Sequence, residues 1–218
     1  NSGADSLDMG ALVSEGQLLD LAPLMDAPSL DTPGKTVRET FFPGSQDGQV
    51  YDGIQYAINI AYTLVGIWYS GSLFEEKGWT YPTTWPEMLD LCETIKTAGI
   101  APWTYQGKYP GYMEWGLLWG LTYKKGGVQP MIDIDNLVDG AWSNPAVVDS
   151  IKEMYQLVEN DYIMAGTEGL NHTESQAEWL KGSAAFIPCG IWLENEMKEM
   201  IPDGFNMMVG QAPGEGNG

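Results

Sequence analysis

Short apolar runs alternate with amphipathic stretches along this chain, and the alternation predicts layered α/β structure. The clearest helix is predicted near residues 85–98. Thr84-Trp85-Pro86-Glu87 has the spacing of a capping box, Met88, Leu89, Cys92 and Ile95 fall on one helical face, and Gly99 supplies a left-handed stop. Ile100 to Tyr105 reads as the strand that follows. A second helix is predicted from an N-cap at Asn144 with Pro145 in the first turn; Val147, Val148, Ile151, Met154, Tyr155 and Val158 would form its buried face. A third is expected from Thr173 to Lys181, capped through Thr173 and Gln176 and ended by Gly182. Ala184 to Cys189 is an unbroken apolar run, read as a buried strand, and a fourth helix is expected from near Ile191.

The first third of the chain is less regular. A short helix is expected over roughly Ser6 to Glu15, then the apolar Leu18-Leu19-Asp20-Leu21. Residues 26–48 are rich in Pro, Gly and Asp, with Val37, Phe41 and Phe42 suggesting a short packed helix among them. Strands are expected near 50–60 and 64–69. The stretch from Gly53 to Phe74 carries no charge. A spanning helix needs about 20 mostly apolar residues, and here Gln55, Asn59, Thr63, Ser70 and Ser72 interrupt the run. Its flanks are acidic, Asp52 and Glu75-Glu76, so strands, a turn and a short helix are the better reading.

Composition changes the picture in one respect. The 218 residues are 44% hydrophobic, enough for a sizeable core, but the charge is lopsided: 30 acidic against 10 basic residues, net −20. Binding to nucleic acid rests on neutralising phosphates with Lys and Arg. The one adjacent basic pair is Lys124-Lys125, which disfavours nucleic acid and anionic membranes as partners. Cys92 sits on the apolar face of the helix predicted near 85–98 and Cys189 ends an apolar strand-like run; both read as buried free thiols, with a disulfide as the alternative. One histidine and the absence of a CxxC pair argue against zinc, and no cofactor is expected.

Catalytic signatures are poor: there is no GxSxG, HExxH or Walker loop. Glu114, Glu194 and Glu196 could supply a glycosidase pair, but acidic residues are abundant. Asn171-His172-Thr173 has the form of an N-glycosylation sequon, with Thr173 better explained as a cap and His172 as a loop residue. The informative feature is aromatic density among polar residues. Trp103, Tyr105, Tyr109, Tyr112, Trp115 and Trp119 crowd one segment, interleaved with Gln106, Lys108 and Glu114. Sugars present apolar C–H faces ringed by hydroxyls, and Tyr and Trp combine an apolar body with a polar tip. Trp103 and Trp119 read as core; Tyr109, Tyr112 and Trp115 are divided between core and ligand platform. Trp192 follows Cys189-Gly190-Ile191 at a strand-to-helix turn, the position where α/β sheets tend to bind ligands, with Asn195 and Glu196 one turn on.

These segments, in this order, resemble family 1 extracellular solute-binding proteins of carbohydrate ABC importers. The matching pieces are Glu15-Gly16-Gln17-Leu18-Leu19-Asp20-Leu21, Gly66-Ile67-Trp68-Tyr69-Ser70 with Leu73-Phe74 and Gly78, Thr84 to Leu89, Asn144 to Val148, and Lys181 to Phe186 with Gly190-Ile191-Trp192. Leu91 to Lys96 with Gly99 to Pro110 is similar to the N-acetylglucosamine/diacetylchitobiose-binding subgroup. The resemblance implies a two-lobe periplasmic-binding-protein-like fold of type II that closes on a sugar in the interlobe cleft. Residues 1–60 would be part of the first lobe with the start of a hinge crossing, and 61–218 mostly the second lobe with a tail leading back. Family chains are much longer, so the expectation is an incomplete fragment.

By the same resemblance Trp192 stacks on the sugar, Gln106, Tyr109, Tyr112 and Trp115 line the cleft, and Asp5 or Ser6 adds polar groups from the loop before the first helix; the ligand would lie between Trp192 and the Tyr109–Trp115 segment, with Gln106 and Glu196 as hydrogen-bond partners. The implied protein is a monomer, lipid-anchored at the cell surface or periplasmic, that captures an oligosaccharide or amino sugar and passes it to membrane permease subunits. The rivals are a glycoside-processing enzyme and a non-transport lectin-like module.

Overall fold

The computed structural model describes residues 8–61 and 63–216. They divide into two compact bodies, the first ending at Tyr62 and the second running from Thr63.

In the first body, α1 (Met9–Ser14) starts where the Asp8 carboxylate accepts from the Ala11 N–H at 2.9 Å. A single turn, α2 (Ala22–Met25), follows, and its Met25 is fully buried. Where a short helix is expected among residues 26–48 there is a 3₁₀ turn at Arg38–Thr40, and a second, Asp47–Gln49, at the end of the stretch. The first packs less than expected, with Phe42 78% exposed. The strand expected over 50–60 is a hairpin of two short strands, β1 (Val50–Tyr51) and β2 (Ile54–Gln55). Asp52 and Gly53 both take positive φ, 51° and 80°, which is the Asp-Gly two-residue turn that matches strand twist. Residues 56–61 form no regular element although they are largely apolar, and Ile60 among them is 96% exposed.

The second body is a four-stranded mixed sheet with helices on both faces. In chain order it contains β3 (Val65–Ser70), α3 (Gly71–Lys77), α4 (Trp85–Thr97) and β4 (Ala101–Trp103). A helical stretch follows, made of α5 (Gly111–Met113), a π turn (Glu114–Leu118) and α6 (Trp119–Gly126). Then come α7 (Gln129–Asp135), α8 (Pro145–Glu159), α9 (His172–Leu180), β5 (Ala184–Gly190), α10 (Leu193–Met197) and β6 (Met207–Gly210). The strand order is β4-β5-β3-β6, with β4 parallel to β5 and the other two pairs antiparallel.

All seven residues of β5 are buried, as its continuous apolar run requires. Alternate side chains serve opposite faces. Phe186 joins Ile67, Phe74, Trp85, Met88, Cys92, Ile95 and Trp103 on one face. Ile187 and Cys189 join Trp68, Tyr112, Trp179 and Leu193 on the other. The four most buried tryptophans each have a partner for the indole N–H. Trp68 donates to the Cys189 carbonyl and Trp179 to that of Ala185, both at 3.1 Å; Trp85 donates to Gln156 and Trp103 to the Cys92 sulfur.

The capping box at Thr84 and Glu87 forms as its spacing predicts. α8 starts at Pro145 on an Asn144 cap, but its buried stripe is Val147, Ser150 and Leu157. Ile151, Tyr155 and Val158 are 40–56% exposed. The apolar arc of this helix is wider than the stripe that a single packing layer covers. α9 begins at His172, one residue before its expected start, and its cap lies two residues earlier than expected. Asn171, not Thr173, is the cap, with its Oδ1 accepting from the Glu174 N–H (3.0 Å) and Glu174 Oε2 accepting from the Asn171 N–H (2.8 Å). Asn-x-x-Glu offers the same reciprocal pairing as Thr-x-x-Gln, and the stronger cap residue sets the frame. α10 starts at Leu193, two residues later than read from the sequence. No helix among the described residues is long and apolar enough to cross a membrane.

Both cysteines are buried and free, and burial pushes each thiol pKa up to about 12. The native protein should therefore leave both unreacted with a thiol reagent such as DTNB at pH 8, and the unfolded chain should expose both; rapid native labelling would contradict their placement. Phe186 is fully buried at the crossing of the aromatic core. Phe186→Ala should cost about 3–5 kcal/mol, read as a shifted denaturant midpoint at unchanged slope.

Candidate functional site

Two loops in the second body are sewn side by side beyond the ends of β4 and β5. Thr104 and Thr167 share a buried hydroxyl–hydroxyl hydrogen bond (3.1 Å), and the Lys108 N–H donates to the Leu170 carbonyl (3.0 Å). This stitching carries Tyr109, at the end of one loop, to His172, at the start of α9. Their rings stack with centroids 3.8 Å apart and planes 12° apart. Tyr109 also begins the turn into α5, its N–H donating to the Gln106 carbonyl at 2.7 Å.

Tyr112 sits one turn further on and is the hub of an aromatic cluster. Its ring meets His172 at 5.3 Å, Trp115 at 5.5 Å and Trp192 at 6.2 Å, the last edge to face. Tyr112 is only 8% exposed, whereas Tyr109 and Trp115 are 46% and 52% exposed. Tyr112 therefore supports the cluster, and its neighbours present faces to solvent. Burial, with the nearby Cys189 and Glu196, pushes the Tyr112 hydroxyl up to about 12. It stays a neutral donor at physiological pH.

Trp192 is held at the exit of β5. The Ile191 N–H donates to the Leu64 carbonyl (3.0 Å), and the Trp192 carbonyl accepts from the Glu196 N–H (2.9 Å) as α10 begins. The indole lies so close to Gly190 that a Cβ on that residue would sit 1.8 Å from the ring atom Cζ3. Among the described residues, neither Trp192 nor Trp115 donates its indole N–H to a protein group. Trp79, Trp119 and Trp142 share that property but lie outside the cluster.

The remaining expected site residues divide. Glu196 is exposed, with one carboxylate oxygen accepting from Gln176 at 2.9 Å and the other open. Gln106 is fully buried; its amide donates to the Pro188 carbonyl at 3.0 Å, and Oε1 has no partner. It sits inside the protein against the end of β5, not on the surface of the cluster. Asp5 and Ser6 lie outside the described residues. The sequence reading missed His172 and Gln176. The signal was the Asn171-x-x-Glu174 capping pair, which places His172 in the first turn of α9 and Gln176 one turn on. Trp103 is core as expected, fully buried, and Trp119 is partly buried against Trp142.

The second body is a mixed α/β body whose buried inner strand β5 leads into an open aromatic cluster, and the family follows from the whole chain. Residues 2–213 match the bacterial extracellular solute-binding protein family, and the chain belongs to it. Over 208 residues it is 36% identical to the diacetylchitobiose binding protein NgcE of Streptomyces coelicolor, covering 95% of this chain and 43% of that protein. Among solved structures it is similar to a chitin oligosaccharide binding protein (TM-score 0.74, 22% identity, 95% of this chain and 50% of that one). It is also similar to the solute-binding protein RafE in complex with raffinose (TM-score 0.65, 24% identity, 95% and 53%). The mixed α/β architecture expected from the resemblance is thus the fold, and the chain spans about half the length of these relatives.

Because the Trp192 indole rests on Gly190, Gly190→Ala must turn the ring out of the cluster. The expected result is a red-shifted tryptophan emission difference that vanishes in a Trp192→Phe background. An unchanged spectrum would mean that the ring does not lie on Gly190.

Proposed function

We propose that the protein containing this chain is the substrate-binding component of a carbohydrate ABC importer, which captures a sugar and does no chemistry on it. The observation that carries this reading is the Tyr109, His172, Tyr112, Trp115 and Trp192 cluster at the exit of β5. It offers open ring faces of Tyr109 and Trp115, two unpaired indole N–H groups, a neutral tyrosine hydroxyl and the free oxygen of Glu196. Flat apolar faces bordered by donors and acceptors suit a pyranose ring.

A buried Trp covering ~200 Å² at ~25 cal/mol/Å² supplies at most ~5 kcal/mol. Two such platforms with a few hydrogen bonds reach the roughly −8 kcal/mol of micromolar binding. In this reading Trp192, Tyr109 and Trp115 touch the ligand, Tyr112 supports them, and Gln106 braces the end of β5, with Oε1 its remaining acceptor. The relative that binds diacetylchitobiose makes an N-acetylated amino sugar the first candidate. The reading extends to a monomer, anchored at the cell surface or periplasmic, that hands its ligand to permease subunits. It also assigns residues 1–60 to part of one lobe and 61–218 mostly to the other.

Tryptophan fluorescence of the natural full-length protein, titrated with N,N′-diacetylchitobiose, maltose, xylobiose and an amino-acid control, tests this. A saturable change with one sugar class near micromolar concentration is expected. Trp192→Ala should weaken it by about 100-fold, the ~3 kcal/mol of one desolvated aromatic anchor. Silence toward every sugar from a folded protein would remove the ligand class, and release of product from an aryl glycoside would favour the enzyme.

A further inference from the structure

The aromatic cluster does not end at Trp115. One side of that indole packs over Gly111, and its ring also forms a wall of an open groove of about 370 Å³. The groove runs between the start of β3 at Val65, the helical turns carrying Tyr123 and Lys124, and Gln211 beyond β6. All these residues belong to the second body. Trp115 is therefore shared: Tyr112 lies 5.5 Å from it on the cluster side, and the groove begins where the cluster stops.

The groove repeats the chemistry of the cluster in another form. Trp115 and Tyr123 give it aromatic surface, and both are exposed, at 52% and 42%. Lys124 is partly buried at its wall and, among the described residues, its side chain makes no ion pair or hydrogen bond. That is unusual in a chain with three acidic residues for each basic one. The neighbouring Lys125 is taken up by Glu153. An ammonium with no protein acceptor keeps its donors for a ligand, and hydrogen bonds to charged groups are the strong ones. The volume lies at the small end of ligand clefts, which run from about 300 to 1,000 Å³.

We propose that this groove holds a second ring of the ligand, with Lys124 donating to its hydroxyl or acyl oxygens, so that the site is built for at least a disaccharide. The inference rests on the reading that the cluster binds sugar. It adds the place and the residues that set ligand length.

Binding of N-acetylglucosamine and of N,N′-diacetylchitobiose to the natural full-length protein, measured by calorimetry, tests it alongside Lys124→Met and Tyr123→Ala. The disaccharide should bind at least about tenfold tighter than the monosaccharide, the effect expected of one added charge-assisted hydrogen bond. Each variant should shrink that ratio to within about twofold while leaving the monosaccharide affinity and the thermal midpoint unchanged. A ratio that survives both substitutions, or one near unity in the unsubstituted protein, would overturn the groove assignment and leave the sugar reading intact. Equal weakening of both sugars by the variants would overturn it as well. No binding of either sugar to the unsubstituted protein would bring down both proposals for this ligand.

Discussion

The second body depends on the burial of one strand. β5 has no solvent-facing residue, so each of its side chains must find a packing partner and its backbone must be paired on both edges. β3 and β4 supply the pairing. Helices on both faces supply the packing, with Phe186 committed to one layer and Ile187 and Cys189 to the other. The indole N–H groups of Trp68 and Trp179 reach back to β5 carbonyls, so even the polar atoms of the core are organised around this strand.

What positions the strand also positions the site. The last residues of β5 are Pro188, Cys189 and Gly190. Pro188 accepts the Gln106 amide, Cys189 lies beside the side chain of Gln176, and Gly190 carries the Trp192 ring. The strand is fixed by burial along its length, so the group at its end has little freedom. In the proposed sugar-binding role, a rigid platform of this kind needs no prior ordering of its own side chains, which lowers the cost of association. The stacked pair of Tyr109 and His172 is held in the same way, through loops sewn to one another by Thr104 and Thr167.

The contrast between tryptophans follows from the same physics. A buried indole N–H without an acceptor is costly, and Trp68, Trp85, Trp103 and Trp179 all have one. Trp115 and Trp192 have none among the described residues and keep a donor for solvent or ligand. Aromatic residues that look alike in the sequence are thereby separated into those whose N–H is satisfied inside the protein and those whose N–H is open.

The sequence by itself determined the elements whose signals are local. The Thr84 and Glu87 capping box, the Asn144 cap with Pro145, the apolar run of β5 and the uncharged but non-spanning stretch near residue 60 depend on neighbours within a few positions, where spacing encodes hydrogen bonding and burial directly. The ordered set of short segments likewise carried the family. Tertiary structure alone decided which of several apolar faces is covered: Ile151, Tyr155 and Val158 share the periodicity of buried residues yet remain exposed, because coverage depends on what packs opposite. It also decided that Tyr112 supports while Trp115 faces out, that Gln106 turns inward, and that His172 stacks on Tyr109. Those outcomes follow from contacts between segments some 60 to 80 residues apart, as in the pairs Tyr109–His172 and Tyr112–Trp192, and no local pattern contains them.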